Sequence, residues 1–249
     1  MALVLVDLDG TMYDRGVAVP GAAPAVLSLR RSGHVVRYFT NTDSQSEASM
    51  LTRVRERGVP AGPGDVFTPV LAARRVLAAA AEPRALLLAN DRVRGDLAPY
   101  CATDGDRITH VVIGDCHEEL TYGLLDAAFR AVRAGAELIA LQLGRYSRGV
   151  DGDHLDTGAI VAAVEYAAET RARLLGKPSV EFLRLAAGDA DEVWVVGDDR
   201  TTDIAMANEA GARSVQVRTG KYADQRDRGD LPRAAHVIAS VAELPELLT

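Results

Sequence analysis

The chain has 249 residues, 48% of them hydrophobic, and a formal charge of −7. That is enough apolar material for one large or two modest domains. The acidic balance argues against broad nucleic-acid or anionic-membrane binding, which needs a basic field. No apolar run approaches bilayer-spanning length, so a cytoplasmic protein with a small-molecule partner is expected. Cys101 and Cys116 lack C-x-x-C spacing and read as free thiols.

From the N-terminus, the run 2–8 predicts a buried strand that meets Asp7, Asp9, Gly10 and Thr11 at its end. Asp7 and Asp9 stand two apart, so a continued strand would point both at one face, and Gly10 permits a sharp turn. The pair suits a carboxylate nucleophile followed by a carboxyl that moves a proton. It also reads as a plain Asp-Gly turn capped by Asp7. The next strand, 34–39, runs into Thr40, Asn41, Thr42 and Asp43. A hydroxyl and N–H groups near a helix start favour an anion there, although a simple strand-to-helix turn explains the same residues. The following helix opens with Ser44 and Glu47 at capping-box spacing, and Gly58, Gly135 and Gly211 read as helix ends.

Further strands are predicted at 84–89, 109–114 and 137–142, with helical periodicity clearest over 121–135. Near 177 comes Gly-Lys-Pro. Of 28 basic residues only Lys177 and Lys221 are lysines. A chain that uses arginine nearly everywhere and keeps Lys177 points to a compact ammonium balancing carboxylates and phosphate, with chance retention as the alternative. The strand 192–197 then meets Asp198, Asp199 and Asp203. Clustered carboxylates suit a hard divalent ion such as Mg²⁺, while Asp199 or Thr201 could instead cap a helix. A last strand, 212–217, precedes Lys221, which reads as a solvated loop lysine. Strands apolar on both faces imply a parallel sheet covered by helices, with ligands beyond the carboxyl ends of its strands.

The four strand-end motifs, "DLDGT", "FTNT", "GKPS" and "GDDRTTD", resemble those of the haloacid dehalogenase superfamily of phosphatases. The segments "DTGAIVAAVEYA" and "RTGKY" are similar to its subfamily IIA, nearest to phospholysine, phosphohistidine and inorganic pyrophosphate phosphatase-like members. The resemblance implies a Rossmann-like parallel-sheet core with an inserted α/β cap domain. It implies Asp7 as nucleophile, Asp9 as proton carrier, and Thr40, Asn41 and Lys177 on the phosphate. Mg²⁺ would be held by Asp7, Asp198, Asp203 and the Asp9 carbonyl, and a homodimer would form through the cap. Asp43 departs from the small neutral residue often found there. A charge so near phosphate is unfavourable unless it turns away to cap the helix.

Because 137 residues separate Thr40 from Lys177, the insertion falls between them. This places a discontinuous core at 1–67 and 173–249 and a cap at 68–172. Within the polar loop before 157, Arg145, Tyr146 and His154 are candidate contacts to a small phosphorylated substrate, with a solvated loop as the alternative. A phosphotransferase would use the same intermediate, and a phosphate-binding signalling protein would use similar residues. In signalling receivers the lysine comes last, whereas Lys177 precedes Asp198.

Overall fold

The computed structural model describes residues 1–148 and 151–248. The chain divides into two compact units, one of residues 1–40, 48–67 and 177–249, the other of residues 41–47 and 68–176.

The first unit is built on a six-stranded sheet in the order His236–Ile238, Arg213–Val217, Val193–Gly197, Leu3–Val6, Val35–Phe39, Val66–Phe67. Every pairing in it is parallel. The N-terminal strand sits at the centre, flanked by both neighbours. Its Val4, Leu5 and Val6 are completely buried, each contributing about 1.5–3 kcal/mol of apolar burial. Helix Ala22–Arg31 covers the sheet with Ala22, Ala25, Val26 and Leu29, the spacing that puts four side chains on one helical stripe. Ala22, Val26 and Leu29 join Val4, Val6, Val36, Tyr38 and Val196 in one hydrophobic core. Strand order reverses on either side of Leu3–Val6, and in such sheets the crevice beyond the strand ends at the reversal is where ligands bind.

The second unit carries a four-stranded parallel sheet, Arg173–Leu174, Glu137–Ala140, His110–Ile113, Ala85–Leu88. Its core joins Leu88, Val111, Ile113, Leu138, Ala140, Val161 and Val164. An antiparallel hairpin pairs Tyr146–Arg148 with Asp153–Leu155.

All seven strands read from apolar runs are present, as are the helices Glu47–Glu56 and Tyr122–Arg133. The helix-ending glycines Gly58, Gly135 and Gly211 have positive φ. The capping box is not formed as expected. The helix starts at Glu47 itself, and the Glu47 N–H donates to Asp96 Oδ2 at 2.8 Å. No helix among the described residues is long and apolar enough to cross a membrane.

Candidate active site

The site is assembled at the carboxyl end of the first unit's sheet. The central strand pairs in parallel with Val193–Gly197, Val6 opposite Val196, and the Asp7 N–H donates to the Val196 carbonyl at 2.8 Å. The two strands therefore release Asp7 and Asp198 side by side. Beyond Asp198 the chain makes one turn of π-helix, Arg200–Ile204, whose wider winding brings Asp203 back under the strand end. Lys177 arrives from the segment before helix Val180–Ala187.

These four side chains meet. Lys177 Nζ donates to Asp7 Oδ1 at 2.5 Å and to Asp203 Oδ1 at 2.6 Å. One carboxylate oxygen from each of Asp7, Asp198 and Asp203 lies within 4.8 Å of the others. Lys177, Asp198 and Asp203 are each at most 4% exposed. Phe39 forms one wall, its ring centroid 5.4 Å from the ammonium and stacked on Phe182 at 4.3 Å.

Electrostatics follow from this crowding. Burial pushes the carboxyls of Asp7 and Asp198 up to about 6 and that of Asp203 up to about 7, helped by repulsion among them. For Lys177, burial disfavours the charge, but Asp203 and Asp7 outweigh it and hold the pKa above the ordinary lysine value. Three buried carboxylates facing one ammonium leave excess negative charge in a dry site, which is costly unless compensated. A hard cation taking oxygen ligands fits this donor set.

The two readings of the second acidic cluster divide between its members. Asp199 is the cap: its Oδ1 accepts from Thr201 N and Thr201 Oγ1 at 2.8 and 2.6 Å. Burial would raise its pKa, but bonds from Gln225, Lys221 and Thr201 hold it well below the usual carboxylate range. Asp198 and Asp203 belong to the group around Lys177. At the first motif, Asp7 engages Lys177 rather than capping the turn. The turn itself is closed by Gly10 N–H to the Tyr13 carbonyl at 2.7 Å. Asp9 is exposed on that turn and its carboxylate is not part of the acidic group.

Thr40 follows the strand paired with Leu3–Val6, is 3% exposed, and donates its N–H to the Phe67 carbonyl at 3.2 Å. Asn41 groups with the second unit. So do Arg145, Tyr146 and His154, on or just before the hairpin. Tyr146 pairs with Leu155 and His154 with Ser147. Side chains alternate along a strand, so Tyr146 and His154 project from opposite faces of the hairpin and do not form one surface. His154 lies 2.7 Å from Asp151.

Two expectations are corrected. Asp43 does not cap the helix that follows it: buried in the second unit, it accepts a hydrogen bond from Thr157 Oγ1 at 2.7 Å. Lys221 is exposed, as a loop lysine would be, yet its Nζ donates to Asp199 Oδ2 and its main-chain N–H to Asp198 Oδ2, both at 2.7 Å. Sequence reading missed Lys221, although the scarcity of lysine that singled out Lys177 applied to it equally.

A parallel α/β sheet whose central strand ends in an aspartate beside a buried lysine and two further acids defines the class of haloacid dehalogenase-type phosphatase folds. The chain belongs to the haloacid dehalogenase-like hydrolase family, whose sequence models match residues 4–100 and 174–244. It is 38% identical to "Haloacid dehalogenase-like hydrolase domain-containing protein 2" of Bos taurus, over 88% of this chain and 85% of that protein. It is 36% identical to the phospholysine phosphohistidine inorganic pyrophosphate phosphatase of Danio rerio, over 88% and 83%. The fold is similar to that of a glycerol phosphate phosphatase from Mycobacterium tuberculosis solved with magnesium: TM-score 0.84, 25% identity, covering 100% of this chain and 78% of that one.

Proposed function

We propose that this phosphatase hydrolyses a small phosphorylated metabolite, a phosphomonoester, phosphoamino acid or pyrophosphate, through an aspartyl-phosphate and with Mg²⁺. The observation that carries the reading is Asp7, held at the strand end by a buried lysine and flanked by Asp198 and Asp203. The residues then divide the chemistry among them. An Asp7 carboxylate oxygen attacks phosphorus in line; the Asp7–phosphorus bond forms as the bond to the leaving oxygen or nitrogen breaks. Asp9, exposed on the turn that follows, gives a proton to the leaving group. In the second half, water attacks the same phosphorus and Asp9 takes its proton. The Asp7 oxygen leaves, and inorganic phosphate and free Asp7 result. Lys177 balances negative charge throughout, and the Thr40 hydroxyl orients a phosphoryl oxygen. Asp7, Asp198, Asp203 and the Asp9 carbonyl would hold the Mg²⁺, which supplies further charge neutralisation when bound.

The phosphatase activities for which the relatives are named support the substrate class, and the magnesium complex of the mycobacterial enzyme supports the choice of metal. A homodimer through the inserted unit, with no nucleic-acid partner, completes the reading. The test is phosphate release from a panel of sugar phosphates, nucleotides, pyrophosphate and phosphoamino acids, wild type against Asp7→Asn. Turnover by the wild type and none by the variant is expected. Appreciable hydrolysis by Asp7→Asn refutes the covalent route.

A further inference from the structure

Three consecutive residues bind the turn after the central strand to the turn after Val193–Gly197. Thr219 Oγ1 donates to the Gly10 carbonyl at 2.5 Å. The Lys221 N–H donates to Asp198 Oδ2, and its ammonium to Asp199 Oδ2, both at 2.7 Å. Between them Gly220 has a φ of 55° and lies so close that a methyl group there would overlap both the Asp198 carboxylate and Gly10 Cα. Gln225 extends the tie, donating to Asp199 Oδ1 at 2.8 Å and accepting from the Arg200 N–H at 2.7 Å.

We propose that Thr219, Gly220 and Lys221 form a positioning element that holds the Asp198 carboxylate where a divalent cation needs it, an inference that rests on the metal-dependent reading above. Asp198 is crowded by Asp7 and Asp203, and like charge pushes it outward. A main-chain N–H on its Oδ2 opposes that push. The N–H cannot move independently of the residue that carries it, and that residue is anchored through its own side chain. With the Lys221 side chain 62% exposed, its pair with Asp199 adds little stability by itself. Its consequence is the placement of the neighbouring donor, and partners of this outer kind typically govern metal affinity by about 10–100-fold.

The direction of the effect separates positioning from simple charge. Removing a positive charge beside the site would tighten a divalent cation if Lys221 acted only through its field. Lys221→Met is expected instead to weaken Mg²⁺ binding by about tenfold. Gly220→Ala, which alters no charge, should weaken it similarly. Gly211→Ala is the control: its φ is 73°, but open space surrounds it, so it imposes comparable backbone strain without touching Asp198. Mg²⁺ affinity of the full-length protein is read by titration calorimetry without substrate. Wild-type or tighter affinity in either folded variant, Lys221→Met or Gly220→Ala, overturns the inference, as does equal weakening in Gly211→Ala. Asp198→Asn is measured alongside. If it binds Mg²⁺ as the wild type does, the metal site itself is misassigned, a failure distinct from that of the loop.

Discussion

Asp43→Asn measures what a buried charge costs the second unit. Asp43 is 6% exposed, and burial, with repulsion from Asp156 and Asp115, pushes its carboxyl from 3.8 up to about 7 despite the hydrogen bond from Thr157. Between those two values the folded chain keeps a proton that the unfolded chain releases. Stability therefore falls as pH rises through that window and stays at its lowered level above it. A gap of about three pH units corresponds to at most about 4 kcal/mol, at about 1.4 kcal/mol per unit. Asparagine keeps the shape, and its Oδ1 still accepts from Thr157 without carrying a charge. The variant should therefore be more stable than wild type by on the order of 2–4 kcal/mol at pH 8, with the advantage shrinking toward zero near pH 4. Urea unfolding of both proteins at several pH values from 4 to 8 gives the comparison. An advantage that does not change with pH, or a variant less stable at pH 8, would refute the reasoning and show that the Thr157 bond outweighs burial.

Lys177→Arg should fold but lose on the order of a hundredfold in turnover, because a planar guanidinium cannot take the place of an ammonium at 2.5 and 2.6 Å from two carboxylates beside the Phe39 ring; steady-state kinetics at near-normal rate would refute the fit argument. Lys177→Met should instead destabilise by roughly 3–5 kcal/mol, since it strands Asp7 and Asp203 without their buried partner, a loss visible in denaturant titration. Chelation should abolish activity, Mg²⁺ should restore it, and Ca²⁺ should inhibit because its larger, more flexible shell misplaces Asp7; full turnover in chelator would sink metal dependence.

The strands that could be read from sequence are largely covered on both faces, so their runs are mostly apolar, with interruptions such as Arg37 and Gln216. Val193–Gly197 and Leu3–Val6 are of this kind. Val66–Phe67, Arg173–Leu174 and His236–Ile238 were not visible, and each is two or three residues long at an end of its sheet. So short a run shows no period. The site follows the same division. Asp7 and Asp198 stand directly after apolar runs, which makes their position at a strand end a local inference. The partner of Asp43 is 114 residues away, and no pattern along the chain joins it to Thr157.

The two lysines show how far a residue-type argument reaches. Both end on aspartates, Lys177 on Asp7 and Asp203, Lys221 on Asp199. Both retained lysines thus face carboxylates, yet their settings differ for a reason composition cannot carry. The Lys177 side chain is 3% exposed and that of Lys221 62%. Buried, an ammonium acts through its charge in a low-dielectric site. Exposed, it is screened, and what remains is the geometry it imposes on its own backbone. Exposure depends on which strands flank the residue, and that is a property of the sheet order rather than of the residues on either side in the chain. A scarce residue type thus points to positions where Lys→Arg substitution is worth making, and only the fold tells whether charge or anchorage is what such a substitution would disturb.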